Sequence, residues 1–201
     1  MIPSLIKKRP VLLILVLFNI ALVSSLFFMR EKIDSVAETT AQPLPVFGQI
    51  PSFTLKNQTG DIFTPQNLSG RVWIGSFMFT RCPGQCPAMN AKLKMLSSLL
   101  AQDIHIVSFS VDPEYDNPER LLVYATQIAA GPRWHFLTGE KKEIDKVLDG
   151  CHFGRADDPS LHGLKLVLVD EEGRVRAYYD YDNNKLSQLI KNDIKSLKLK
   201  G

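Results

Sequence analysis

Residues Val11 to Met29 read VLLILVLFNIALVSSLFFM, without a charge and with only Asn19, Ser24 and Ser25 polar. As a helix, nineteen residues would span about 28 Å, close to the hydrocarbon core of a bilayer. A cleaved signal peptide would have a shorter apolar core followed by a small-x-small site. Here the run continues through Leu26, Phe27 and Phe28, and a candidate site near Ala21 to Ser25 lies inside it. The expectation is therefore one uncleaved transmembrane helix over residues 11–29. Lys7, Lys8 and Arg9 precede it and Arg30 and Lys32 follow it. That asymmetry favours residues 1–10 in the cytoplasm and the rest of the chain on the far side. Ten preceding residues leave no room for an organellar transit peptide. The expected location is a bacterial inner membrane, single-pass, with the C-terminal domain in the periplasm.

The remaining chain is close to neutral. Of 24 Lys plus Arg and 21 Asp plus Glu, five cations and one anion lie in the first 32 residues, leaving 19 against 20. A nucleic-acid partner, which needs a basic face, is excluded on that ground. An apolar share of 45% fits an ordinary globular protein, and three cysteines are too few for a disulfide scaffold. Residues 30–45, polar toward their end with two prolines, are expected to be a tether, and residues 46–201 a single domain.

Within that domain, helical and strand patterns alternate. Residues 53–56 and 61–64 flank Asn57-Gln-Thr-Gly60 as a hairpin. The apolar run 72–79 predicts a buried central strand, and Met89, Leu93, Leu96 and Leu100 predict a helix over 85–101. Strands are expected over 104–111, 134–137, 164–169 and 174–179, the last two joined by an Asp170-Glu-Glu-Gly173 turn. Helices are expected over 118–130, where Pro118 suits the first position, and over 141–148 and 185–198. The pattern predicts an α/β fold, a three-layer sandwich with a mixed central sheet and an N-terminal hairpin.

The chemistry concentrates in Phe79-Thr-Arg-Cys82-Pro-Gly-Gln-Cys86-Pro87. Two cysteines four apart at a helix N-terminus share one face. The helix dipole and free N–H groups favour thiolate there, which is both a nucleophile and a soft-metal ligand. Flanking Pro83, Gly84 and Pro87 argue against two inert buried cysteines. A redox dithiol and a metal site both remain open. Copper(I) is content with two or three soft donors, whereas a structural zinc site lacks a fourth protein ligand. Of four histidines, His105 and His135 fall in strands, where core or surface roles are the default. His152 follows Cys151 near a helix end. His162 lies in a loop just before the strand 164–169, where a ligand at the sheet's mouth could sit. Met78 and Met89 are expected in the core.

These residues resemble the Sco/SenC family, thioredoxin-like copper-binding proteins of cytochrome c oxidase assembly. The resemblance rests on Phe79 to Pro87, on Ser110-Val-Asp-Pro-Glu-Tyr-Asp116 with Pro118-Glu119, on Trp134-His-Phe-Leu-Thr-Gly139, and on the stretch from His162 through Leu166-Val-Leu-Val-Asp to Gly173. It covers about residues 46–198 and implies a thioredoxin-like fold, with copper, as copper(I) or copper(II), held by Cys82, Cys86 and His162. Asp112 and Asp116 match an acidic pair thought to act near the site or in docking; loop capping is the plainer role for both. Gly84 stands where the family often has an acid, and Cys151 is an extra thiol that could offer a wrong disulfide partner if it approached the site. The implied function is copper delivery to the dinuclear copper site of an oxidase subunit, with other copper carriers or thiol reductases as further partners. The alternative is a membrane-anchored thiol–disulfide reductase using Cys82 and Cys86 as its redox-active pair, the nearest this chain comes to an enzyme. A thiol peroxidase is disfavoured, since Thr80-Arg-Cys82 is one residue short of its usual spacing. The topology has a direct check: a reporter fused after Gly201 should be active only outside the cytoplasm, and a cytoplasmic signal would overturn the charge-flank argument.

Overall fold

The computed structural model describes residues 9–39, 43–151 and 165–198. The chain forms two compact units, Met1–Gln42 and Pro43–Gly201. The first contains helix α1, Arg9–Thr39. Within it, Asn19 donates its side-chain amide to Leu15 O at 2.8 Å, so the one amide of the apolar run has a partner inside the helix. Among the described residues no helix is long and apolar enough to cross a membrane. The transmembrane helix expected over 11–29 is thus not shown by the structure.

The tether expected over 30–45 differs at both ends. Nothing from Glu31 to Thr39 is proline or glycine, so the helix runs on through Thr39. Leu44 and Pro45 already belong to the second unit. Their carbonyls accept from Arg176 Nη2 at 2.5 Å and Nε at 3.0 Å.

The second unit is built on a mixed sheet of eight strands. These are β1 (Gly48–Gln49), β2 (Leu55–Asn57), β3 (Ile62–Phe63), β4 (Trp73–Met78), β5 (His105–Ser110), β6 (Trp134–Thr138), β7 (Lys165–Val169) and β8 (Arg174–Asp180), in the order β1-β8-β7-β4-β5-β6-β2-β3. Strands β4, β5 and β6 are parallel, with Trp73 beside His105 and Val107 beside His135, while β7 runs antiparallel to β4. The hairpin β2/β3 closes one edge by pairing antiparallel with β6. The helices are α2 (Gln85–Leu99), α3 (Pro118–Gln127), α4 (Lys141–Gly150) and α5 (Leu186–Lys198). Apart from β1 and a 3₁₀ turn at Pro65–Leu68, each element lies where the sequence pattern places it.

Alternation along β4 divides the core. Val72, Ile74 and Met78 join Met89, Leu93 and Leu96 of α2, Leu121 of α3 and Ile190 and Ile194 of α5 on one face. Trp73 and Phe77 join Phe53, Leu55, Val107, Phe109 and the α4 residues Ile144, Val147 and Leu148 on the other. Each fully buried large apolar side chain contributes about 1.5–3 kcal/mol, so the sheet is held from both sides. Gly75 is needed in β4, because a Cβ there would come within 2.6 Å of Val167 Cγ2. Buried Ser76 and Ser108 bond to each other at 2.8 Å, and Trp134 Nε1 donates to Ser108 Oγ at 2.9 Å, so the polar atoms inside the sheet are satisfied.

His105 and His135 keep the structural roles expected of them. Their rings stack at 5.3 Å between centroids, His105 Nδ1 and His135 Nε2 share a hydrogen bond at 3.0 Å, and Arg71 Nη1 reaches His105 Nε2 at 3.1 Å. Burial, then the neighbouring His105 and Arg71, push His135 down from 6.5 to about 4. Burial, then Arg71 and Arg133, lower His105 as well. Below its ordinary value the unfolded chain binds protons on these rings that the folded chain refuses. Their contribution is therefore complete above pH 6.5 and is lost as pH falls toward about 4. The urea midpoint should fall between about pH 7 and about pH 5, and His135→Gln should flatten that fall. An equal fall in the variant would contradict the assignment.

Candidate metal centre

Strand β4 ends in the tight segment Phe79–Gly84, and α2 begins at Gln85. Cys82 N donates to Phe79 O at 3.2 Å, which turns the chain at the carboxyl ends of the parallel strands. That edge of an open α/β sheet is where ligand sites collect. Cys82 is half-buried and Cys86 buried, both as free thiols. Their environments set them apart. Partial burial is the largest influence on Cys82 and raises its pKa. A hydrogen bond from the Cys86 thiol, with backbone N–H groups of Cys86, Gly84 and Gln85, outweighs burial, and the net direction is down. For Cys86, burial and the thiol–thiol bond to Cys82 act together and push it up to about 12. Of the two sulfurs, the accessible one at the helix N-terminus is therefore the one that more readily carries negative charge.

The loop is held from below by Asp116, which is fully buried. Its carboxylate accepts from Thr80 N at 3.0 Å, from Thr80 Oγ1, and from Ser110 Oγ at 2.5 Å. Its carbonyl accepts from Thr138 Oγ1 at 2.5 Å. One residue thereby joins the segments following β4 and β5 to the end of β6. Asn117 caps α3 by accepting from Arg120 N at 2.9 Å, with Pro118 in the first turn. Asp112 accepts from Arg81 Nε at 2.6 Å, and Arg81 lies 4.6 Å from the Tyr115 ring centroid, with Arg120 at 3.9 Å from the same ring. Of the two acids, Asp116 is a buried anchor for Thr80, two residues before Cys82, and Asp112 is paired with Arg81.

Met78 and Met89 are buried in the core, as their spacing implied. Cys151 is fully buried, but in the cluster with Val147 and Leu148, whereas Cys86 packs in the cluster with Met89 and Leu93. The sheet separates the two, so Cys151 offers no disulfide to the pair. Burial pushes its thiol up to about 12. At Gly84 an added Cβ would meet nothing within 4 Å, so the space admits the acidic side chain that the resemblance led one to look for.

His162 and His152 lie outside the described residues. Among the described residues no three of His, Cys, Asp and Glu come together as a metal cluster. The structure therefore brings together Cys82 and Cys86 and, among the described residues, shows no third ligand. The sequence pattern assigns Thr80, Ser110 and Tyr124 no supporting role at the site. The Tyr124 hydroxyl accepts from Asn90 Nδ2 at 2.6 Å and feels both cysteines electrostatically. Asn90, one turn after Cys86, was the signal that could have found it.

The fold and site define a class first: a thioredoxin-like α/β domain with a dithiol at the mouth of its sheet. The SCO1/SenC family model matches residues 44–198, and the chain belongs to that family. The SCO1 homolog of Bacillus subtilis (strain 168) is 32% identical over 162 residues, covering 76% of this chain and 84% of its own. Among solved structures, a SCO1/SenC family lipoprotein from Bacillus anthracis str. Ames is 30% identical and covers 75% of this chain and 95% of its own, with a TM-score of 0.66. BsSco, described as a member of the Sco family of cytochrome c oxidase assembly proteins and as carrying a disulfide switch, is 30% identical with TM-score 0.68, covering 78% and 97%. Yeast Sco1 with copper bound is 28% identical with TM-score 0.59, covering 76% and 94%.

The unequal thiols give a test. At about pH 7, limiting iodoacetamide should modify Cys82 first, with Cys86 and Cys151 slower by at least about tenfold. Peptide mass mapping showing Cys86 modified first would contradict the assignment.

Proposed function

We propose that the chain carries copper on Cys82 and Cys86, with His162 as the third ligand, and passes it to the copper-bearing subunit of cytochrome c oxidase during assembly. The observation that carries this reading is the paired thiols at the first turn of α2, one half-open and one buried. Two thiolates and an imidazole suit copper(I), and with added ligands can hold copper(II). A three-donor set open on one side lets an acceptor's thiolates enter before the donor's leave, which delivery requires. The copper bound to yeast Sco1 and the assembly role stated for BsSco support the reading. Asp116 serves the site by fixing Thr80, and Arg81 and Tyr115 stand on the surface that an acceptor would meet.

A second reading has its own observation. A thiol with lowered pKa beside a buried thiol is the arrangement of a reductase, with Cys82 attacking and Cys86 resolving. The disulfide switch of BsSco supports it.

The same proposal places the domain outside the cytoplasm, anchored in the inner membrane by residues 11–29. From Ile14 to Met29 the large apolar side chains of α1 are all exposed, with Phe18 at 66% and Phe28 at 69%, an arrangement unfavourable in water on every side of the helix. That the related Bacillus anthracis protein is a lipoprotein supports attachment to a membrane.

Cys82→Ser or Cys86→Ser should abolish tight copper binding, and His162→Ala should weaken it by at least about tenfold, since a lost ligand costs no less than a lost outer partner. The readings separate in cells. Under copper delivery, His162→Ala loses oxidase assembly and added copper eases the loss. Under thiol reduction, His162→Ala is nearly normal, and external thiol rescues the cysteine variants. Normal oxidase activity in His162→Ala at low copper would overturn the delivery reading.

A further inference from the structure

The amino ends of β4, β5 and β6 form the end of the domain opposite the cysteines, and there lysines edge an apolar groove. Helix α2 ends at Leu99 and α5 ends at Lys198. Between them runs a groove of about 480 Å³, lined by Leu99, Leu100 and Ile194 and edged by Lys191, Lys195 and Lys198. Leu99 is 47% exposed and Met95, one turn earlier, 44%. Lys198 pairs with Asp103, whereas Lys191 and Lys195 have no ion pair among the described residues. Arg133 adds a fourth cation behind them, donating to Ser97 O at 2.9 Å and to Ile104 O at 2.6 Å.

The chain enters the second unit at this same end. Pro43 and Leu44 share a cleft with Val72, Ser196 and Leu197, so the first residues after the N-terminal unit abut the last turn of α5. Glu171 and Glu172 line the far wall of that cleft, and Arg174 holds Glu172 at 2.7 Å.

We propose that the face made by the ends of α2 and α5 docks on an anionic lipid surface, with Lys191 and Lys195 over headgroup phosphates and Leu99 and Met95 at the acyl boundary. This rests on the reading of residues 11–29 as a membrane anchor. Charge complementarity and the point of chain entry both select a bilayer as the occupant. Each lysine near an anionic surface shifts the docked population by about fivefold, and exposed apolar side chains add to it. A domain held by Pro43 and resting on this face would carry Cys82 and Cys86 at the other end of α2.

The test uses the full chain reconstituted in vesicles of phosphatidylcholine alone or with about a third phosphatidylglycerol. Flotation reports anchoring, and pulse acetylation read by mass spectrometry reports lysine exposure. Lys191 and Lys195 should label at least about threefold more slowly in the anionic vesicles, with protection lost in high salt, while exposed Lys56 on the hairpin edge labels equally in both. Flotation with equal labelling of Lys191 and Lys195 in both vesicles overturns the docking and leaves the anchor standing. Failure to float with either vesicle overturns the anchor, and the docking with it. Protection that appears only when an acidic protein is added assigns the face to a protein partner and overturns the lipid proposal.

Discussion

Asp116 is the carboxylate on which the geometry of the site depends. It accepts from Thr80 N and Oγ1 and from Ser110 Oγ, and so fixes the segment after β4 to the segment after β5. A buried carboxylate must keep such donors, because each one lost leaves an acceptor desolvated at about 1–3 kcal/mol. The Cys82 segment is thereby held at its root while its tip, from Arg81 to Gly84, stays open to solvent. That combination would suit the proposed ligand exchange, with both sulfurs already placed and one of them open to an acceptor.

The division of the core into two faces has a chemical consequence. Cys86, in the first turn of α2, packs on the face that carries α3, and Cys151, at the end of α4, packs on the other side of the sheet. A third thiol in a protein with a redox-sensitive pair is a hazard only if it can reach that pair. Here the central sheet intervenes, and burial keeps the Cys151 thiol protonated. The same two-faced sheet sends the cysteines to one end of the domain and the entering chain to the other, so that attachment and exchange do not compete for surface.

Much of this was legible in the residues. The apolar run 72–79 and the heptad-like spacing of Met89, Leu93 and Leu96 announced β4 and α2, and the Asp170–Gly173 turn followed from its residue types, with Gly173 at φ +78°. What could not be read was set by tertiary contact. The place of the β2/β3 hairpin beside β6 depends on backbone pairing that no local pattern encodes. Strand β1 is two residues long, too short for any periodicity. The burial of Asp116 was hidden because aspartate in a loop ordinarily caps and solvates. Its sequence neighbours Asn117 and Pro118 pointed to a helix start, while its partners Thr80 and Ser110 are 36 and 6 residues away. Polarity alone does not mark where α1 ends, because no helix breaker stands between Glu31 and Thr39.

The central claim is that Cys82 and Cys86 hold a copper ion in an open, three-donor set. X-ray absorption on the full-length protein, loaded with copper(I) under reducing conditions and freed of excess metal, tests it most directly. The account predicts one copper per chain, with two sulfur scatterers and one nitrogen scatterer of imidazole type in the first shell. Loss of copper on desalting, or a first shell with only one sulfur, would contradict it.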